Sequence, residues 1–291
     1  MTADPVEQPP IVLSYRQARG LLDAREERRE TAAVSLDLGL TVTEVTLTPY
    51  RILLADGRWL SWEGVGDIAE DEAGCYLVED DGRTGKIQRF SELTNRHYSL
   101  FPTSGAPTIL IAGFSMHRIK GTDPWQDTLA KVRQVAPVRG RVLDTSTGLG
   151  YTAIEAARTA AEVVTIELDP TTLTIARLNP WSRDLFASPK IRQIVGDSYE
   201  EVQGLDDGSF ARIIHDPPIF SLAGELYSGA FYRQLYRVLA RNGRLFHYIG
   251  SLESKQGHGV ARGVIRRLGE AGFTRVERRP EAFGVVAYKG R

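Results

Sequence analysis

The 291 residues carry a formal net charge of −1, with 42% hydrophobic and 25% charged residues. That balance is ordinary for a globular protein with a sizeable core, and it excludes a general electrostatic affinity for nucleic acid, so an RNA partner would need a local patch. No apolar run approaches the ~20 residues of a membrane helix, and the single cysteine, Cys75, excludes an internal disulfide and suits a reducing cytoplasm.

In chain order, MTADPVEQPP has neither the basic start nor the apolar core of a secretory signal, and residues 1–11 read as a proline-rich disordered leader. Residues 14–30 predict a helix with an arginine-rich face, either solvated or steering a substrate. From Ala33 to Phe101 apolar and polar residues alternate, which predicts half-buried strands. Asp56-Gly57 signals a hairpin, and residues 79–85 a second turn. Residues 1–101 are therefore expected to form a helix plus a small β-rich domain, with Cys75 a buried small residue. Residues 102–140 connect, with a strand in TILIAGFSMHRI and a helix in DPWQDTLAKVRQV that has Asp123 as N-cap and Pro124 at its first position. His117 reads equally as a satisfied surface or core histidine. The spacing of His and Cys gives no metal cluster, so no metal is expected.

RVLDTSTGLGY, residues 141–151, is an apolar run, a small-residue loop and the start of a helix: the ligand-binding corner of a doubly wound sheet. Gly148-x-Gly150-x-x-Ala153 matches a dinucleotide fingerprint, but Asp144 at the strand tip would repel a pyrophosphate. It suits a ligand with an ammonium and a sulfonium, namely S-adenosylmethionine. A tight turn without ligand is the plain alternative. Further on, Val163 to Ile166 predict a strand ending at Glu167, an acid placed to accept hydrogen bonds from both ribose hydroxyls. Asp169 reads as the N-cap of the next helix, which stops before Pro180. A third strand leads to Asp197 and Ser198, and a fourth, ARIIH, to Asp216-Pro217-Pro218-Ile219-Phe220. An amphipathic helix ending at Asn242-Gly243, a fifth strand (RLFHYIG), a helix closed by Gly272 and two last strands complete a mainly parallel sheet. The acids at 144, 167, 197 and 216 all fall at predicted strand C-termini, where ligands of open α/β sheets bind.

The loop resembles motif I of class I methyltransferases, Asp-x-Gly-x-Gly-x-Gly, with Ser146 in the first glycine position. Asp216 to Phe220 resembles motif IV of amino-methyltransferases, [Asn/Asp]-Pro-Pro-[Tyr/Phe/Trp], with Ile219 in the aromatic's slot and Phe220 one place late. Residues 141–291 are thus similar to an archaeal-type group of class I methyltransferases, through DTSTGLGYTAIEAA, LNPWSRDLF, HDPPIFSLAGELYSGAFYRQLYRVL and GRLFHYIG. A member of that group makes N4-methylated cytidine in ribosomal RNA.

The resemblance implies a Rossmann-like α/β domain with a seven-stranded sheet and an antiparallel last strand. It implies S-adenosylmethionine bound by Asp144, Thr145, Ser146, Gly148, Gly150, Glu167, Asp197 (taking the adenine amine) and Ser198. Asp216, Pro217, Pro218 and Phe220 would be catalytic, and Ile219 and Tyr227 would bind substrate. In such enzymes the segment before motif I often folds over the cofactor, which marks Met116, Lys120 and Trp125 as pocket residues. The residue types have a physical logic: an exocyclic amine is a poor nucleophile, and two acceptors on its N–H groups, Asp216 and the Pro217 carbonyl, would aim its lone pair at the methyl. Such alignment is worth up to ~7–11 kcal/mol.

The expectation is a cytoplasmic RNA N4-cytidine methyltransferase, monomer or homodimer, with ribosomal RNA as partner and no membrane. Cytosine C5 chemistry is disfavoured because the domain lacks a cysteine nucleophile. A spermidine synthase-like aminopropyltransferase is the first alternative, resembled by LYSGAFYRQLYRVL. That family's Asp-x-x-Asp-Pro base would fall on Ile213. Methylation of a small molecule or protein amide, and a non-catalytic binding module, are further alternatives. Residues 258–291 hold eight Arg or Lys against three Glu, either an RNA-facing patch or a solvated helix face. His215, His247 and Tyr248 read as substrate-side or buried structural residues.

Overall fold

The computed structural model describes residues 9–220, 222–251 and 255–290, with the side chains of 255–257 set aside. The expected leader at 1–8 and Arg291 lie outside the described residues. The chain forms two compact units: residues up to Pro124 with Thr174–Arg183, and Trp125–Leu173 with Asp184 onwards.

The first unit holds three antiparallel sheets. Ile11–Ser14 already pairs with Cys75–Val78, so the chain is ordered strand at Ile11, where a leader was expected. Ser14 caps the helix Tyr15–Glu26 in a reciprocal capping box with Gln17. That helix stops short of the expected residue 30 because Arg28 takes a positive φ and Thr31–Val34 is a strand. Thr31–Val34, Thr43–Leu47, Arg51–Leu53 and Trp59–Ser61 form a meander, with Asp56-Gly57 at its last hairpin. The alternating pattern conceals one helix, Trp62–Glu70. Ser61 caps it, and Trp62, Val65, Ile68 and Ala69 bury one face at helical spacing. The third sheet runs Phe114–Ser115, Thr108–Ile111, Arg96–Phe101, Gln88–Ser91. The expected break at 101/102 therefore falls inside a hairpin, where Phe101 pairs with Thr108. Cys75 is buried and free, and Trp181 Nε1 donates to the Leu38 carbonyl at 3.1 Å.

In the second unit the elements are α1 (Pro124–Arg133), β1 (Arg141–Asp144), α2 (Tyr151–Ala157), β2 (Glu162–Glu167), α3 (Pro170–Leu178), β3 (Ile191–Val195), α4 (Ser198–Glu201), β4 (Phe210–His215), α5 (Gly229–Val238), β5 (Leu239–Tyr248), α6 (Lys255–Glu270), β6 (Arg275–Arg279) and β7 (Gly284–Tyr288), α3 crossing the division between the units. They build a seven-stranded sheet in the order β3-β2-β1-β4-β5-β7-β6. Strands β1 to β5 pair in parallel, and β7 runs antiparallel to β5 and β6. This is the Rossmann-like α/β fold expected of the C-terminal part. Continuous burial of Val163 to Ile166 marks β2 as covered on both faces. Its core joins Leu143, Ile213, Phe231, Tyr232, Leu235 and Leu245.

The helix expected to end at Asn242-Gly243 ends at Val238 instead, and the strand begins at Leu239. The physical reason lies some fifty residues away in sequence: Lys289 Nζ donates to the carbonyls of Tyr236 and Leu239, at 2.7 Å each. A cation there satisfies the helix's last carbonyls early. The four residues after Leu239 form the bulge that shifts register between Phe210 and Arg212, with Asn242 at φ +59°. Among the described residues no helix is long and apolar enough to cross a membrane.

Candidate active site

The loop after β1 is held to both neighbouring strands. Thr145 N donates to the Ile214 carbonyl at 3.1 Å and Thr147 N to the Ile166 carbonyl at 2.9 Å. Gly148 (φ +53°) donates its N–H to Glu167 Oε2 at 2.8 Å. Gly150 (φ +79°) precedes α2, and a Cβ there would lie 2.6 Å from Leu185. A Cβ at Gly148 would meet nothing within 4 Å, so the open side of the loop is at Gly148.

Asp144 is fully buried, and its Oδ2 accepts from the hydroxyls of Thr152 (3.0 Å) and Thr165 (2.9 Å). Among the described residues its Oδ1 makes no well-formed hydrogen bond, with the Ser146 N–H the backbone donor nearest the carboxyl. Burial pushes the carboxyl up to about 7. Glu167, likewise raised by burial to about 7, accepts from Gly148 N and, through Oε1, from Asp169 N at 3.1 Å. Asp169 caps α3 through Thr171 N at 2.9 Å. At the same sheet end stand two exposed apolar side chains that the sequence reading passed over, Leu168 next to Glu167 and Val195 level with Glu167 on β3. An orphaned buried carboxylate oxygen, room above a glycine and two apolar faces fit S-adenosylmethionine.

Two residues expected on the ligand are turned inward. Ser198 Oγ is buried and donates to the Thr145 carbonyl at 2.6 Å. Thr145 Oγ is buried against His215 Nδ1 at 2.7 Å. Their hydroxyl protons are committed to the loop's own scaffold, so these two hold it rather than reach from it. Ser146 is half-buried within the loop, and Asp197 is exposed and caps α4 through Tyr199 N at 2.8 Å.

Asp144 is level with Ile214 on the adjacent strand, which puts Asp216 two residues beyond Ile214, just past the end of β4. Asp216 Oδ2 accepts from Lys131 Nζ at 2.6 Å. Lys131, on α1, is 1% exposed and also sits 2.8 Å from Asp127 Oδ2, with its ammonium 4.3 Å from the Tyr248 ring centre. The sequence gives an Asp–Lys pair four residues apart, which by itself reads as a surface ion pair. Burial opposes the Lys131 charge, but the Asp216 and Asp127 carboxylates outweigh it and hold the ammonium above the usual lysine range. Burial likewise raises the Asp216 carboxyl, while Lys131 pulls it back.

The turn itself is fastened from below. Tyr227 OH donates to the Pro218 carbonyl at 3.0 Å, and the residue is only 3% exposed, so Tyr227 is a strut rather than the expected substrate contact. The Phe220 ring packs edge-on against Tyr227 at 5.4 Å and is 54% exposed, with Ile219 49% exposed beside it in sequence. The Pro217 carbonyl accepts no hydrogen bond from the described residues. His215 and His247 are buried with rings 4.2 Å apart, and burial pushes His215 down to about 3. His215 donates from Nε2 to the Leu226 carbonyl, and His247 accepts from Tyr232 OH at 2.9 Å. Both are neutral structural histidines, while Tyr248 meets Lys131.

Trp125 meets Tyr151 edge-on at 5.9 Å, and Met116 and Lys120 belong to the other unit. The basic C-terminal stretch is largely engaged within the protein. Arg267 donates to the Tyr227 carbonyl, Lys289 caps α5, Arg275 and Arg279 pair with Glu277, and Arg266 with Glu270. Among the described residues no group of His, Cys, Asp and Glu could hold a metal ion.

No protein-family model matches the chain. It is 46% identical over 234 residues to the uncharacterized protein MJ1233 of Methanocaldococcus jannaschii, covering 80% of this chain and 79% of that protein. It is 28% identical over 148 residues to polyamine aminopropyltransferase 2 of Streptomyces coelicolor, covering 47% of this chain and 26% of that protein. In fold it is similar to a spermidine synthase solved with the transition-state analogue AdoDATO (TM-score 0.58, 18% identity, 74% of this chain and 78% of that one). It is similar in fold also to MNMC2 of Aquifex aeolicus (TM-score 0.52, 18% identity, 65% of this chain and 70% of that one).

Proposed function

Because the chain belongs to the same family as the uncharacterized protein MJ1233 of Methanocaldococcus jannaschii, and its sheet carries an acidic glycine loop beside a rigid Asp-Pro-Pro turn, we propose that it is an S-adenosylmethionine-dependent N-methyltransferase. The acceptor we infer is an exocyclic amine, N4 of cytidine in RNA, ribosomal RNA foremost.

When bound, S-adenosylmethionine supplies a methyl group on a sulfonium. Asp144, through its unpartnered Oδ1, and Glu167, between the loop and α3, are the acceptors for its ammonium and ribose hydroxyls. Asp197 is the acceptor for the adenine amine, and Leu168 and Val195 offer it apolar faces. Gly148 and Gly150 shape the loop, and Ser146 lies within it. On the acceptor side, Asp216 Oδ1 and the Pro217 carbonyl take the two amine N–H groups. Ile219 and Phe220 offer apolar surface to a planar ring. The prolines lack N–H groups and stiffen the turn, so its carbonyls are held in place. Asp216 accepts the proton that nitrogen sheds on alkylation.

The observation that carries methyl transfer over aminopropyl transfer is Ile213. The position where the aminopropyltransferase pattern has its base is a fully buried aliphatic side chain in the core. The test is nucleoside mass spectrometry: total RNA from cells lacking the protein is incubated with the enzyme and methyl-labelled S-adenosylmethionine, then digested. Label in N4-methylcytidine or its dimethyl form is expected. Label in another base would keep the methyltransferase and discard the cytidine. Turnover of decarboxylated S-adenosylmethionine with a diamine would replace this reading with the polyamine one.

A further inference from the structure

We propose that Lys131 is a positioning residue that restricts the acceptor to a neutral nitrogen, because its ammonium is already ion-paired with the carboxylate an alkylammonium substrate would need as counter-ion. The inference deepens the proposed function and rests on the reading of Asp216 as the acceptor-side carboxylate.

Lys131 Nζ donates to Asp216 Oδ2 at 2.6 Å, and Asp127 Oδ2 at 2.8 Å anchors it. Lys131 and Asp127 are sealed from solvent, whereas the Asp216 side chain is 15% exposed. The arrangement is directional: one Asp216 oxygen faces the lysine, and Oδ1 has no partner among the described residues. The charged and titratable groups around Asp216 are Asp127 and Lys131 from α1, Asp144 from β1, Tyr248 from β5 and Tyr227 from the turn Gly224–Tyr227. Among the described residues Lys131 is the one cation in that set.

Two consequences follow from the chemistry. An aliphatic amine is an ammonium at neutral pH, so its approach to Oδ1 would set a second positive charge against a buried lysine, and it would first have to lose a proton. An arylamine or amide nitrogen arrives neutral and needs orientation rather than deprotonation. In the transfer an N–C bond forms as the sulfonium S–C bond breaks, its electron pair staying on sulfur, and one N–H proton passes to Asp216 Oδ1 and on to water. Lys131 also keeps Asp216 an acceptor. Without the ammonium, burial beside Asp127 and Asp144 would favour the protonated acid, which donates where it must accept.

The test uses the full-length protein and the variants Lys131→Met and Lys131→Arg. The double variant Asp127→Asn/Lys131→Met removes both buried charges should the single one fail to fold. In the substrate-free protein, carboxyl-carbon NMR should move the Asp216 titration upward by more than one pH unit in Lys131→Met and restore it in Lys131→Arg. Calorimetry with putrescine at pH 9, where the Asp216 carboxylate is regained, should give at least tenfold tighter binding to Lys131→Met than to the parent. On labelled RNA, kcat at pH 7 should fall at least thirtyfold, recover partly at pH 9, and leave S-adenosylmethionine affinity within twofold. An unmoved Asp216 titration and unmoved putrescine binding in a folded variant would overturn the inference. If the parent labels no RNA while both of those readouts move as expected, the cytidine assignment fails and the role of Lys131 stands.

Discussion

The Tyr227 hydroxyl donates to the Pro218 carbonyl at 3.0 Å, joining the turn that carries Asp216 to the segment that leads into α5. Tyr227 is held in turn by Arg267, which donates to its carbonyl from α6. The Asp-Pro-Pro turn is therefore supported through two elements that never touch the acceptor. Tyr227→Phe keeps the ring packing and deletes one hydrogen bond, worth about 0.5–1.5 kcal/mol. We expect kcat to fall up to ~10-fold by that arithmetic, with S-adenosylmethionine affinity unchanged by calorimetry. A loss of cofactor affinity instead would place Tyr227 in the wrong half of the site.

Asp216 and Glu167 should separate turnover from cofactor binding. Asp216→Asn should cut kcat by ~10²–10⁴-fold, the range of a positioned proton acceptor, with little change in affinity. Glu167→Ala should do the reverse, weakening binding by ~10–100-fold through loss of charge-assisted hydrogen bonds. Equal affinity in Glu167→Ala and the parent would remove the ribose assignment.

Asp144 and Glu167, the acids at the ends of β1 and β2, predict opposite pH trends for stability and for binding. Asp144 and Glu167 titrate near 7 in the folded chain, well above their unfolded values, because burial disfavours the charge. The folded state thus binds more protons than the unfolded one between the ordinary carboxylate range and about pH 7. Their contribution to stability is fully present below the unfolded values and is lost as pH rises through about 7. Ligand donors need the ionised forms, so affinity should rise over the same interval. Thermal melts from pH 5.5 to 8.5 should show the S-adenosylmethionine-induced shift widening with pH, and Glu167→Gln should flatten that trend.

Gly150 and Gly148 both hold positive φ, but only Gly150 also lacks space, with Leu185 2.6 Å from a would-be Cβ. Placing an L-residue in the left-handed region costs about 1–2 kcal/mol. Gly148→Ala should lose that amount in a denaturant titration, and Gly150→Ala clearly more. Equal losses would mean that Leu185 yields freely.

Phe220, more than half exposed, should be dispensable for folding but not for the acceptor. Phe220→Ala is expected to raise the KM for RNA at least threefold with an unchanged melting temperature. A drop in stability instead would make its edge contact with Tyr227 a packing role.

Much of the C-terminal part was legible because its signals are local. A glycine loop after an apolar strand, acids at strand ends and proline after an N-cap aspartate each depend on neighbours in the chain. Glu167, Asp169, Asp197 and Asp216 stand where those patterns indicate. Less legible were elements whose ends are set from afar. The early stop of α5 depends on Lys289, and the helix Trp62–Glu70 is masked by glycines that blur its apolar stripe.

By itself, then, the sequence determined the alternating α/β order, the acidic glycine loop and the stiff Asp-Pro-Pro turn, since each is written in adjacent residues and in their backbone preferences. Only the tertiary structure decided which of the nearby polar groups face the site. It turned Thr145, Ser198 and Tyr227 inward as scaffold, made His215 and His247 neutral core residues, and drew Lys131, eighty-five positions away in sequence, onto Asp216. The reason is physical: a hydroxyl, an imidazole or an ammonium removed from water must find a partner, and which partner is within reach depends on how the strands and helices pack.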